Sequence, residues 1–392
     1  MPSSSNSSRR QQRKARAASA PRREWLAPAL IFVSAFLLYA NTLGHDYALD
    51  DRIYTTENVY VQQGFSAFKE IWTKGSLVGF NGANDNNYRP LVLLTFMAET
   101  QAFGLNPHAS HFFNVLLFAL SCVLIYFLLR GLFPALNRSV PALMALLFAF
   151  HPVHAEAVAN IKSRDEILCL LFGVVCLLSL RRHVDTSRPS YYWASVMAFG
   201  LSVLCKESGV TFVLVVPLLL YFFTDSDAKR ISTLTAAYAA VVVLYLIVRR
   251  SVLDTVTFDR LPIMNNALMA AKTTGDMLAT NFVMLGKYVY LLVIPYPLSW
   301  DYSYNQIPIV SFGDARAIAS LLLYISMGVY VLVRLRRKDT FVFAILPVPD
   351  HPFCLVQPFR QNRSHLRRTF SVHAVAGFLH RRAAAPGPDS QD

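Results

Sequence analysis

The sequence has few charged residues: they occupy 16% of its 392 positions, against about 25% in soluble proteins. Hydrophobic residues make up 54%. This balance excludes an ordinary soluble globular protein and favours a chain that crosses a membrane several times. Runs of about 20 apolar residues indicate helices as the spanning elements. The predicted fold class is therefore all-α, a polytopic bundle of membrane helices.

Cysteine is also scarce. The five cysteines are an odd number without Cys-x-x-Cys spacing, which argues against a disulfide framework and against a structural zinc site. No cofactor is required by any motif. A divalent metal remains compatible with the sequence, because His151 and His154 lie three residues apart, although Pro152 between them weakens the pattern.

Acidic residues are fewer than basic ones, 24 against 37, and the net charge is +13. The basic residues concentrate at the N-terminus, at the ends of apolar runs and near the C-terminus. This distribution is typical of signals that set membrane topology. It predicts membrane lipids as partners and argues against nucleic acid.

Composition divides the chain into three parts. Residues 1–24 are rich in Ser, Ala and Arg and are predicted to be disordered in the cytoplasm. Residues 25–346 form the transmembrane domain, with long polar loops at 43–110 and 250–277. Beyond it the Pro, Arg, His and Ser content rises and periodicity ends. Residues 347–392 are therefore predicted to be a non-native, frameshifted tail or, alternatively, a disordered basic tail.

Nine apolar segments are candidates for crossing the membrane, and about eight crossings are predicted. The segment 278–297 is assigned as a re-entrant or interfacial helix because it contains Gly286, Lys287, Pro295 and Pro297. This assignment also keeps the following basic cluster in the cytoplasm. The candidate segments are 25–42, 111–133, 139–157, 166–181, 190–205, 209–224, 232–249, 278–297 and 315–333.

Orientation follows from the basic N-terminus, which is predicted to be cytoplasmic. The protein is then a multi-pass protein of a bacterial inner membrane or of the endoplasmic reticulum. Alternation of the spans places most acidic residues outside the cytoplasm. The cytoplasmic loops between spans hold only Asp185, Asp225 and Asp227. Any chemistry is therefore expected on the extracytoplasmic side.

Two adjacent acids, Asp50 and Asp51, begin the first outer loop in the stretch LGHDYALDDRIYTTEN. Adjacent side chains diverge, so at most one of them is expected to point into a given cavity. A single carboxylate is enough to act as a general base for a hydroxyl. Which of the two points inward stays open, and a solvated cap at the membrane exit is the alternative.

The stretch NDNNYRPL places Tyr88 and Arg89 before Pro90, which favours the start of a helix. An arginine at that position can pair with a phosphate through two hydrogen bonds. The alternative is an interfacial Tyr/Arg anchor. The stretch therefore gives candidate substrate-binding residues without deciding between the two interpretations.

Two further stretches, HPVHAEAVANIKSRDEIL and CKESGVT, place ionisable residues at the same predicted boundary. Ionisable side chains close to the hydrocarbon of a membrane are costly in free energy, so they are taken as functional candidates. The structural alternatives are a polar interfacial cap for the first stretch and mutual neutralisation of Lys206 and Glu207 for the second. Cations near a carboxylate would suit a phosphate leaving group and an activated hydroxyl. The candidates are His154, Glu156, Arg164, Lys206 and Glu207.

The order of these motifs resembles the transmembrane-and-TPR-containing O-mannosyltransferase family and its bacterial relatives in the GT-C class of membrane glycosyltransferases. YRPLVLLTF, FGLNPHASHFFNVLLFALS, HPVHAEAVANIKSRDEIL and CKESGVTF carry the resemblance, over about residues 26–346. It implies a GT-C-like fold. It also implies transfer of a mannose-like sugar from a polyprenyl- or dolichyl-phosphate carrier to a protein or glycan hydroxyl outside the cytoplasm.

The resemblance implies roles for several of the candidates. Asp50 or Asp51 is the expected catalytic base or acceptor-positioning group, and Glu156 is suggested as a second active-site acid. The remaining candidates are assigned to substrate binding, the cations for their charge. They are Tyr88, Arg89, His154, Arg164, Lys206 and Glu207.

The chain departs from the family after about residue 346, where further spans and 34-residue TPR repeats are expected and not found. If the tail is frameshifted, this departure implies loss of acceptor binding and an inactive chain, and it favours a second interpretation, a non-catalytic membrane scaffold. A third interpretation is a transporter or flippase. The sequence shows no matching pair of Gly/Pro-broken halves, which argues against the third.

Overall fold

The structure is a computed structural model. The predicted disordered N-terminus and the C-terminal tail fall outside the described residues, except for Glu24, as do residues 254–266 of the loop 250–277. The structure describes residues 24–82, 87–253, 267–299 and 306–345.

The described residues form helices and no strand, which confirms the predicted all-α class. The α-helices are α1 Leu26–Tyr39, α2 Asp51–Tyr54, α3 Val59–Gln62, α4 Phe68–Thr73, α5 Val78–Asn81, α6 Pro90–Phe103, α7 Pro107–Leu132, α8 Ser139–Phe150, α9 Ala155–Ala159, α10 Arg164–Thr186, α11 Pro189–Cys205, α12 Phe212–Phe223, α13 Ala228–Val252, α14 Thr274–Val293, α15 Ala315–Arg334 and α16 Thr340–Ile345. Short 3-10 helices cover Ala40–Gly44, Gly64–Ala67, Pro152–His154, Ile161–Ser163, Glu207–Thr211, Ala267–Ala270 and Leu335–Arg337.

Six helices of the described residues, with the 3-10 turns that extend some of them, are long and apolar enough to cross a membrane. A seventh arises if α8 and the Pro152–Ala159 segment, bent by 49°, act as one span. This confirms a polytopic membrane protein. The six are Leu26–Gly44, Pro107–Leu132, Ile161–Thr186, Ala228–Val252, Thr274–Val293 and Ala315–Arg337.

The number of long helices differs from the predicted eight crossings because two segments form shorter helices. The helix α11 has 17 residues and α12 has 12. With the 3-10 turn before it, α12 extends over Glu207–Phe223, so both helical segments are about 26 Å long at 1.5 Å per residue, a little short of the roughly 30 Å of a hydrocarbon core. The predicted number of about eight crossings stays a prediction.

The predicted re-entrant segment is an unbroken helix, α14, which passes the same test of length and apolar composition. Gly286 and Lys287 lie inside it, whereas Pro295 and Pro297 come after its end at Val293. The prolines therefore terminate the helix without breaking it. The break expected from the prolines is therefore absent, and the assignment as a re-entrant or interfacial helix, which also rests on the basic cluster that follows, stays a prediction.

The predicted outer loop 43–110 contains a buried helix, α6, of 14 residues. Pro90 is its first residue and Gly104, at φ +69°, follows its end. Val92, Phe96 and Met97 are fully buried. The helix also packs against α11. This part of the loop therefore belongs to the core.

The helix α7 is the centre of the bundle and contacts α1, α8 and α10. Its N-terminus is capped by Asn106, whose side chain accepts hydrogen bonds from two backbone amides of the first turn. Alanines at the contacts with α1 and α8 are completely buried, which lets these helices approach closely, as packing inside lipid requires. They are Ala35, Ala119, Ala145 and Ala149.

A second group of helices packs beside the first. The helix α10 contacts α11, and both α11 and α12 contact α13. The helices α14 and α15 form a pair. His151 Nε2 hydrogen-bonds to the Leu292 carbonyl at 3.1 Å, and Tyr221 donates to the Leu335 carbonyl at 3.1 Å. These bonds tie the pair to the bundle.

Candidate active site at one end of the bundle

The first loop folds back onto the turn before α10 through two aspartates. The Asp51 carboxylate is buried and accepts hydrogen bonds from the backbone amides of Ala48 at 3.0 Å and Lys162 at 2.9 Å. The side chain of Asp50 is 50% exposed and lies 3.5 Å from the Lys162 ammonium. The two neighbours therefore diverge: Asp51 points into the protein and Asp50 toward solvent.

Burial raises the pKa of Asp51 to about 6. The two backbone amides and the Lys162 ammonium lower its pKa in part, and the adjacent charge of Asp50 raises it. Both oxygens of Asp51 accept hydrogen bonds from the backbone, whereas the carboxylate of Asp50 is half-exposed. The catalytic or acceptor-positioning role of either aspartate stays a prediction.

Arg89 is the centre of the second contact group and is fully buried at the start of α6. Its guanidinium pairs with Asp165. It also donates hydrogen bonds to the Glu207 carboxylate, from Nη2 at 2.6 Å and from Nε at 3.0 Å. Burial lowers the pKa of this arginine, but the carboxylates of Glu207 and Asp165 more than offset it and raise the pKa above its ordinary value. Arg89 therefore stays charged.

Lys206 and Glu207 do not rely on each other for neutralisation, although they are neighbours in sequence. The ammonium of Lys206 is buried and pairs with Glu166, whereas Glu207 pairs with Arg89. The side chain of Glu166 is 32% exposed. The two residues therefore join the end of α11 to two different elements: Lys206 to α10 and Glu207 to the start of α6.

Arg164 is enclosed by a different set of partners. It pairs with Glu99 at 2.8 Å, donates to the Asn114 side chain at 2.8 Å and to the Ser110 carbonyl at 3.0 Å, and lies over the Phe96 ring. These contacts tie α6, α7 and α10 together. The geometry favours a structural role, and binding of a phosphate by Arg164 stays a prediction.

The other predicted residues lie inside the packing. The Tyr88 hydroxyl donates to the Trp72 carbonyl at 3.0 Å, which ties α6 to α4. His154 stacks near Phe148, with ring centroids 4.3 Å apart. Glu156 is buried in the short helix α9. The substrate-binding roles of Tyr88 and His154 and the acid role of Glu156 stay predictions.

Three of the buried cations each pair with an acid that reaches the surface. The side chains of these acids are 50%, 37% and 32% exposed. A buried cation must be paired, because desolvation otherwise costs several kcal/mol. We call these three acids the carboxylate rim; its residues and their cations are Asp50 with Lys162, Glu207 with Arg89, and Glu166 with Lys206.

Sequence reasoning did not assign Lys162, Asp165 and Glu166 to the site. The sequence contained the information to assign them, because all three lie in the stretch NIKSRDEIL, where α10 begins. The described residues contain no group of three or more His, Cys, Asp or Glu side chains arranged to hold a metal ion. His151 and His154 thus gain no further ligand there.

Fold and site together define a class: an all-α, multi-pass membrane protein with a cluster of ion pairs at one end of its helices. Residues 88–253 match the family model described as dolichyl-phosphate-mannose-protein mannosyltransferase. This range includes every cation of the cluster. No solved structure matches the chain significantly.

Curated relatives agree with this match. The chain is 30% identical over 323 residues to the protein O-mannosyl-transferase tmtc2 of Xenopus laevis, which covers 76% of this chain and 38% of the relative. It is 29% identical over 301 residues to human TMTC2, covering 70% of this chain and 35% of the relative. With mouse TMTC1 it shares 32% identity over 201 residues, covering 47% and 21%.

The family match and the curated relatives support the relation to the protein O-mannosyl-transferase family that the motifs predict. The chain spans less than two fifths of the length of these three relatives.

Proposed function

We propose that this chain is the membrane part of a glycosyltransferase that moves a mannose-like sugar from a polyprenyl- or dolichyl-phosphate carrier to a hydroxyl of a protein or glycan. The family supports the type of reaction. The contact between the first loop and the turn before α10 carries the proposal for the site. It brings the half-exposed carboxylate of Asp50 to the end of the bundle where Arg89 lies.

Asp50 is proposed as the general base. Its carboxylate takes the proton of the acceptor hydroxyl while the hydroxyl oxygen forms a bond to the anomeric carbon of the sugar. The bond between that carbon and the phosphate oxygen breaks, and the electron pair leaves with the lipid phosphate. One displacement of this kind inverts the anomeric centre.

Arg89 is proposed to receive the departing phosphate. Its guanidinium remains charged and is oriented by Asp165 from the buried side. A planar guanidinium can bind two phosphate oxygens at once. Charge that develops on the leaving phosphate would meet a preplaced cation, which is usually the largest contribution to catalysis of this type.

The site end is proposed to face away from the cytoplasm. The opposite end of the bundle is rich in basic residues: Arg138 pairs there with Glu24 at 3.0 Å, and Arg181 donates to the Phe223 carbonyl at 3.2 Å. Cytoplasmic ends of membrane helices carry an excess of Lys and Arg. The charge difference between the two ends supports this orientation.

Replacing Asp50 with asparagine tests the proposal. Asp50→Asn keeps the size of the side chain and removes the base, so sugar transfer from a radiolabelled lipid-phosphate mannose to acceptor is expected to fall by about 10²- to 10⁴-fold. Transfer is measured in membranes that contain equal amounts of each variant.

Asp46→Asn is the matched control, because Asp46 is an exposed acid in the same loop. It is expected to keep wild-type transfer. Full activity of Asp50→Asn would exclude Asp50 as the base, and an equal loss in both variants would point to a general effect of loop charge.

A further inference from the structure

Glu207 is the more exposed of the two acids that bind Arg89. Its two carboxylate oxygens accept from Nη2 at 2.6 Å and from Nε at 3.0 Å. Asp165, which is buried, binds Nη1 from the other side. Arg89 is therefore bound on its buried side by Asp165 and on the other side by Glu207, whose side chain is 37% exposed.

This arrangement conflicts with direct binding of a phosphate. One guanidinium already faces two carboxylates, so a phosphodiester that approaches it meets like charge on Glu207. A carboxylate and a phosphate engage the guanidinium fork in the same bidentate geometry. The outer edge of Arg89 can therefore accommodate Glu207 or a phosphate, and not both.

The side chain of Glu207 can turn away from Arg89 without a shift of an α-helix. Glu207 is the first residue of the 3-10 helix Glu207–Thr211 between α11 and α12. Asp165, by contrast, lies in the first turn of α10 and is enclosed. Displacement of Glu207 would free Nε and one contact of Nη2, while Asp165 on Nη1 and the Asn87 side chain, which accepts from Nη2 at 3.0 Å, continue to hold the guanidinium.

We infer that Glu207 is an internal stand-in for the donor phosphate: it holds the outer edge of Arg89 in the empty protein and is displaced when a lipid phosphate binds. This inference rests on the proposed function. It makes Glu207 a positioning residue that acts through Arg89. It predicts that the carboxylate weakens donor binding, since the donor must first compete with it.

Glu207→Gln tests the inference, because it removes the charge and keeps the shape. The KM for lipid-phosphate mannose is expected to fall about fivefold, with kcat within about twofold of wild type. The carboxylate that is removed is partly exposed, ion pairs of such groups contribute up to about that factor, and Asp165 still neutralises the buried guanidinium. Binding of polyprenyl phosphate to the purified protein is expected to tighten by a similar factor. A purely structural role would lower kcat or the melting temperature without tightening binding.

The matched control is Glu57→Gln, which neutralises a similarly exposed carboxylate that is paired with Arg52 in the first loop. It is expected to leave KM unchanged. Glu207→Asp, which keeps the charge but shortens the reach, provides a second variant if Glu207→Gln fails to fold; a smaller fall in KM is expected.

The outcomes separate the two proposals. An unchanged or raised KM in folded Glu207 variants, or an equal fall in Glu57→Gln, would overturn the role of Glu207 while wild-type transfer still supports the proposed function. A wild-type protein that neither transfers mannose nor binds polyprenyl phosphate would overturn the proposed function itself.

Discussion

Asp51 shows how a single buried carboxylate couples the first loop to pH. Its pKa of about 6 lies above the ordinary value, so between about pH 4 and 6 the folded chain holds a proton that the unfolded chain has released. Protons bound in the folded state favour folding. The free energy of unfolding is therefore expected to fall by up to about 3 kcal/mol as the pH rises through this interval, and to level off above it.

Unfolding in detergent between pH 4 and 8 measures this slope, and Asp51→Asn isolates it. The variant cannot titrate at this position, so its profile is expected to lack the part of the slope due to Asp51. Asp46→Asn, in the same loop but exposed, is expected to retain it. Identical profiles for Asp51→Asn and wild type would contradict the assignment.

At the residue scale, the sequence indicated which end of the molecule carries the ionisable groups but not how they pair. Glu207 binds Arg89, 118 residues away in the chain. Its neighbour Lys206 binds Glu166 instead. No local pattern reports such long-range pairs, because they depend on how α6, α10 and α11 pack. The buried position of the cations follows from the same packing.

At the element scale, the long spans were predictable because apolar composition persists along them: the segment 232–249 corresponds to α13 and 111–133 to α7. The buried helix α6 was not, because its 14 residues are too few to span the membrane and it lies within a polar loop. The stretch that begins at Pro90 was recognised only as the start of a helix. The position of α6 in the core depends on its packing against α11, which the composition of the sequence does not indicate.

Gly286 gives an element-scale prediction, since it forms the contact between α14 and α15. A Cβ added there would lie 2.8 Å from the Cβ of Ser320 and would also overlap its hydroxyl. Gly286→Ala is therefore expected to lower the free energy of unfolding by about 1–3 kcal/mol, because the two helices must separate slightly. Thermal unfolding of the purified protein in detergent measures the loss.

Gly328→Ala is the matched control in α15, because a Cβ added there meets nothing within 4 Å. Alanine has a higher helix propensity than glycine by about 1 kcal/mol, so this change is expected to be neutral or stabilising. If Gly286→Ala proved as stable as Gly328→Ala, the close contact between α14 and α15 would not exist.

At the scale of the whole molecule, the two ends of the bundle differ in the charge of their exposed side chains. The carboxylate rim lies at one end, where the first loop meets the turn before α10. The other end carries exposed or partly exposed basic side chains beside the starts of α1 and α8. A membrane separates these ends, so the sidedness of the site follows from a single measurement of orientation.

Cysteine labelling in intact cells makes that measurement. Ser66 lies in the first loop at the site end and Ser139 begins α8 at the opposite end; both are exposed. The cysteines of the described residues are buried, and Cys354, outside them, is replaced by serine in the background. We expect a membrane-impermeant maleimide to label Ser66→Cys in intact cells and Ser139→Cys only after permeabilisation. The reverse pattern would place the carboxylate rim in the cytoplasm. The proposed acceptor would then have to be cytoplasmic, because Asp50, the proposed base, belongs to the rim.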